Sequence, residues 1–86
     1  MRLAPDLEQR IQVVVDDAVR RAGLPDAPMR KYLREQAHLS QRELGELCGV
    51  SAAAVSRWEN GLRTPRGPEC GIYAEVLAGI RRGLAA

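Results

Sequence analysis

An all-α fold of five helices is expected for this 86-residue chain, on three observations. Phenylalanine is absent, and β-branched residues are sparse outside Val13, Val14 and Val15. No hairpin dipeptide lies between alternating apolar runs. Where apolar residues do recur, they recur at spacings of three and four, as in Leu7, Ile11, Val14, Ala18 and Ala22.

The elements follow in order. Pro5 suits a first helical position and opens a helix that runs to about Ala22. Glu8, Gln12, Asp16 and Arg20 fall largely off its apolar stripe. Gly23, Pro25 and Pro28 break the pattern, and this short joint is the best internal boundary. It separates an N-terminal helix and joint (1–27) from a second part (28–86), within one compact unit overall. The second helix spans Pro28 to about His38, with Leu33 and Ala37 turned inward. The third opens at Ser40-Gln41-Arg42-Glu43, a capping box in which Ser40 caps and Glu43 reaches back, and it ends at Cys48. Ser51 caps the fourth, which runs to Asn60 and stops at Gly61. A loop carrying Thr64-Pro65 follows. The last helix begins near Pro68 and presents Ile72, Val76, Leu77, Ile80 and Leu84 on one side.

Composition narrows the function classes. The chain carries 13 basic and 11 acidic residues and 45% apolar residues, so it is not a disordered charged tail. No apolar run approaches the roughly 18–20 residues of a membrane span. The start, Met1 to Asp6, has no uninterrupted apolar run, so no secretory signal is expected. Cys48 and Cys70 are too few for a disulfide framework, and a reduced cytosolic setting is the simpler reading. They also lack metal-ligand spacing, and His38 is the single histidine, so neither metal nor cofactor is expected. No nucleophile, base and acid converge in sequence, and no Gly-rich phosphate loop is present, so enzyme activity is not expected.

The informative segment is Gln41 to Glu59. Two short helices, Gln41–Cys48 and Ala52–Glu59, flank the turn Gly49-Val50-Ser51. Two helices crossing at a wide angle over so short a turn need a small residue at the crossing, and Gly45 stands there. They need a residue that tolerates left-handed backbone to open the turn, and Gly49 stands there. They need apolar residues to fill the wedge, and Leu44, Cys48, Val50, Val55 and Trp58 have that spacing. This is a helix-turn-helix pattern.

The sequence here resembles the phage repressor and Cro type of helix-turn-helix, the XRE family. The resemblance covers about Met29 to Ile80. It rests on Leu39-Ser40-Gln41-Arg42-Glu43-Leu44-Gly45, on Cys48-Gly49-Val50-Ser51, and on Val55-Ser56-Arg57-Trp58-Glu59-Asn60-Gly61-Leu62-Arg63-Thr64-Pro65. It implies a lambda-repressor-like domain, here with an extra N-terminal helix, that binds double-stranded operator DNA and regulates transcription, most simply as a repressor. Gln41, at the start of the first motif helix, would hold a phosphate, an anion that a helix N-terminus also favours. The second motif helix would lie in the major groove, with Ser51 at its tip and Ala52, Ala53, Ser56 and Arg57 outward. Arg57 is the residue able to bind guanine bidentately, and the alanines offer methyl contacts. Asn60, Arg63 and Arg66 would hold phosphates, which position the protein without reading sequence.

The chain departs from the well-known phage repressors at Ala52 and Ala53, where those proteins carry long amides that read bases. A short code centred on Arg57, or more reliance on DNA shape, is expected in consequence. The same departure motivates an alternative from another class, a protein-interaction or antitoxin-type module. Trp58 could stack on a base, but its phase with Val55 places it in the core. Arg34 and Glu59 match positions that form an internal salt bridge in this family. Arg42 reads equally as a phosphate contact or a solvated side chain. A homodimer on half-sites about one turn (~34 Å) apart is the usual arrangement in this family. The first and last helices are both candidates for its contact, with the last favoured. Charge fits the reading: residues 29–68 carry seven basic and four acidic side chains, while residues 1–28 carry four and five.

Overall fold

The computed structural model describes residues 5–85. Met1–Ala4, part of the stretch read for a secretory signal, and Ala86 lie outside the described residues. Five helices are present: α1 (Pro5–Ala22), α2 (Ala27–Gln36), α3 (Gln41–Cys48), α4 (Ala52–Glu59) and α5 (Gly67–Ala85). The described residues contain no strand, and the fold is all-α as expected.

Local hydrogen bonds decide where α2, α3 and α4 begin. Ser40 Oγ accepts from the Glu43 amide at 3.0 Å, and Glu43 Oε1 in turn accepts from the Ser40 amide at 2.9 Å. Hydrogen bonding from Ser40, its backbone amide first and its side chain second, holds the Glu43 carboxyl below its usual value. Ser51 Oγ accepts from the Ala54 amide at 3.1 Å. The second helix starts one residue earlier than expected. Asp26 is its cap, accepting from the Met29 amide at 3.0 Å, and this leaves Ala27 and Pro28 to fill the first turn.

Three helices end in the same way. The Val50 amide donates to Gly45, the Leu62 amide to Arg57, and the Leu39 amide to Arg34. Each closes over a left-handed residue: Gly49 (φ 74°), Gly61 (φ 70°) and His38 (φ 59°). Glycine adopts that backbone freely and histidine does not. Because His38 itself takes the left-handed position, α2 stops at Gln36, short of the expected His38. His38→Gly is therefore expected to stabilise the protein by about 0.5–1 kcal/mol, since relief of strain outweighs the extra freedom of the unfolded chain. A higher urea midpoint at unchanged m-value checks it.

The core is a single cluster of Leu33, Leu44, Cys48, Val55, Trp58, Tyr73 and Leu77. The Trp58 and Tyr73 rings stack at 4.8 Å between centroids. Burial pushes the Tyr73 phenol up to about 12. The wedge residues of the motif are all in or against this cluster, with Val50 half-buried.

The structure decides which faces of α5 and α1 are covered. On α5 the buried residues are Cys70, Tyr73 and Leu77, while Ile72 and Leu84 are exposed and Val76 and Ile80 half-buried. The core meets the 70-73-77 edge of the helix, so the stripe read from aliphatic residues alone sits to one side of it. On α1, Leu7, Ile11 and Val14 are exposed, so its stripe does not complete the core of one chain. α1 packs against α5, and the molecule measures 52 × 29 × 19 Å.

Candidate nucleic-acid interface

α3 and α4 form the most extensive helix pair, and Gly45 is where they touch. A Cβ built on Gly45 would lie 2.6 Å from the Val50 carbonyl oxygen and 3.2 Å from the Ser51 carbonyl carbon. Both are backbone atoms that cannot swing aside, so only glycine allows this crossing. Gly49 has open space around it, and its requirement is conformational.

The two sides of α4 have separate tasks. Ala54, Val55, Trp58 and Glu59 are buried and hold the helix to the core. Ala53, Arg57 and Asn60 are exposed, with Ala52 and Ser56 half-buried beside them. In helical projection Ala53, Ser56, Arg57 and Asn60 share one outward face. Asn60 closes the helix end, its Nδ2 donating to the Ser56 carbonyl at 2.8 Å. Ser51 is exposed at the other end of α4. Arg63 and Arg66, on the loop after α4, are exposed as well. Arg42 is exposed on α3 and makes an ion pair with Glu46 at 3.4 Å, one turn along the same helix. Such a solvated pair contributes little to stability.

A polar clasp beneath this face fixes its orientation. Arg34 binds Glu59 through two parallel hydrogen bonds, Nε to Oε2 at 2.6 Å and Nη2 to Oε1 at 3.0 Å. Its third donor, Nη1, reaches the Leu39 carbonyl at 2.9 Å. The hydrogen bonds to Glu59 push the Arg34 guanidinium above its ordinary value. Gln41, for which a phosphate contact is expected, donates its Nε2 to Glu59 Oε1 at 3.1 Å. α2, the start of α3 and the end of α4 thus meet at one carboxylate.

Arg30 completes the clasp, and the sequence reading missed it. It lies one turn before Arg34 on α2 and is buried. Its Nη2 donates to the Trp58 carbonyl at 2.8 Å and its Nη1 to the Pro25 carbonyl at 2.7 Å. A cation there meets the negative end of the α4 dipole and adds a short bond to a carbonyl that otherwise accepts only from the Gly61 amide at 3.3 Å. The available signal was its spacing of four from Arg34, which puts both guanidinium groups on one face of α2.

The arrangement presents a short helix outward on a rigid base, flanked by arginines, with no cluster of three metal-ligating side chains among the described residues. Among the described residues no helix is long and apolar enough to cross a membrane. Comparison with curated proteins and with solved structures finds no match to the chain. A family model described as helix-turn-helix matches residues 31–80, which spans α3, the turn and α4 and more than half of the sequence. With that match and the Gly45 crossing in place, the chain belongs to the Cro/C1-type helix-turn-helix, or XRE, family of DNA-binding transcription regulators.

Proposed function

We propose that the chain is a sequence-specific repressor that occupies double-stranded operator DNA with α4 in the major groove. One observation carries the reading: Arg57 projects from the exposed face of a helix whose opposite face is locked into the core. A long forked donor on a rigid helix can meet the O6 and N7 acceptors of guanine. Ala53 beside it offers a methyl contact, and the exposed Arg63, Arg66 and Asn60 are the donors for phosphates on either side. Two copies would read two half-sites, following the symmetry of the operator.

The test is selection of binding sites from a random duplex library. The wild-type protein is expected to enrich a short motif containing guanine. Arg57→Ala is expected to lose roughly 5–150-fold of preference at that base while keeping its helical circular dichroism. Affinity should also fall steeply with salt, and Arg63→Ala should reduce the slope of log K against log salt by about one. Unchanged base preference in Arg57→Ala would remove Arg57 from the interface. A wild-type protein that binds no DNA at low salt would favour the protein-interaction reading raised by Ala52 and Ala53.

A further inference from the structure

The N-terminal helix lies outside the family match, and the DNA-binding reading makes no use of it. Leu7, Ile11, Val14, Val15, Ala18 and Val19 fall in one arc roughly 140° wide, the width of a stripe that ordinarily faces a core. Yet Leu7 is 41% exposed, Ile11 45%, Val14 65% and Val19 66%. The chain's surface carries the same message. It measures 5963 Å², whereas a compact monomer of this mass exposes about 5,000 Å². Its radius of gyration is 14.9 Å, against roughly 12 Å for a compact chain of this length. The excess of roughly 900 Å² is close to the ~800 Å² that one partner contributes to a standard interface.

We infer that α1 pairs in antiparallel fashion with α1 of a second copy of this chain, in the absence of DNA. The sequence of the stripe selects that occupant and that direction. Leu7, Ile11, Val14 and Ala18 are spaced by four, three and four, the repeat of a two-helix seam. Antiparallel pairing sets Leu7 against Ala18 of the second copy and Ile11 against Val14, which gives four layers of similar volume. Parallel pairing would set Leu7 on Leu7 and Ala18 on Ala18, a seam that is overfilled at one end and empty at the other. The acidic first turn, Asp6 and Glu8, then lies toward the Arg21 end of its mate, and the two helix dipoles oppose. The contact is two-fold symmetric and self-complementary, so it closes at two copies. Residues 1–28 carry one more acid than base, which turns this face away from DNA or an anionic membrane as its cover. The interface lies at the opposite end of the sequence from α5, the helix favoured for dimerisation by the sequence.

Sedimentation equilibrium on the full chain without DNA tests the inference. The expected result is a species of twice the 9.5 kDa chain mass at micromolar concentration. Val14→Asp should weaken the dimer on the order of 100-fold, because it places a carboxylate in the centre of the seam. Val14→Ile should leave it intact. Val14 is exposed in the single copy, so loss of dimer should occur with the Trp58 core folded, as reported by tryptophan emission. For direction, Leu7→Cys protein mixed with Ala18→Cys protein should oxidise to a mixed disulfide in preference to either homodimer. A monomeric wild type, or a Val14→Asp protein that stays dimeric, would overturn the pairing. Preferential Leu7→Cys self-linkage would overturn the antiparallel direction. None of these readings involves DNA, so they stand or fall apart from the operator-binding proposal.

Discussion

Arg34→Met is expected to destabilise the protein by about 3–5 kcal/mol, because it leaves the Glu59 carboxylate buried without its charge partner. The Glu59 side chain is 1% exposed and that of Arg34 11%, so water cannot take the place of the guanidinium. Gln41 still donates to Oε1, which puts the loss toward the lower end of that range. Removing both charges together, as Arg34→Met with Glu59→Leu, should recover much of the stability, since an apolar pair of similar size carries no desolvation penalty. Urea denaturation of the two single variants and the double variant gives the coupling directly. A wild-type midpoint in Arg34→Met would show that the pair is solvated and that α2 is not tied to α4 through it. The function prediction is separable. The double variant should keep its fold, but the outward face of α4 loses a fixed reference to α3, and DNA affinity should fall more than stability does.

Trp58→Ala is expected to cost a further class of stability, about 3–5 kcal/mol, through the cavity it leaves. Trp58 is 1% exposed and stacks on Tyr73 at 4.8 Å, so the loss removes both burial and a ring contact. A chain of this length has roughly 4–13 kcal/mol of stability in all, so the variant should be largely unfolded on modest warming. Arg57→Ala, one residue away on the exposed face, should stay within about 0.5 kcal/mol of wild type. Thermal melts followed by circular dichroism compare the two. Similar melting temperatures for both variants would mean that the core and the outward face of α4 have been assigned to the wrong sides. Trp58→Phe keeps an aromatic ring against Tyr73 and should lie between them.

Much of the fold is legible in the chain because its helix ends are local events. A serine with a glutamate three residues on satisfies two amides within one turn, and Ser40 with Glu43 does so. Gly49 and Gly61 stop helices because left-handed backbone is free for glycine, and they sit one residue beyond Cys48 and Asn60. The Gly45 crossing was legible for the same kind of reason, since no other residue type fits between backbones. His38 was not legible. It closes α2 in the conformation that glycine ordinarily takes, between hydrogen bonds that tie the next residue, Leu39, to Arg34. Arg30 was not legible either, because an arginine on a predicted helix reads as solvated until another helix end arrives to receive it.

The division between the two levels follows from range. By itself the sequence determined five helices, the serine caps of α3 and α4, the short turn between those two helices and the outward phase of Arg57, since each depends on residues within a turn or two. Tertiary structure alone decided which edge of α5 meets the core, that Arg30 caps α4, that Gln41 joins the Arg34–Glu59 pair, and that the stripe of α1 is left in solvent. An amphipathic stripe states that a helix has a face to cover. Which surface covers it depends on contacts between residues distant along the chain, and among the described residues none covers the stripe of α1.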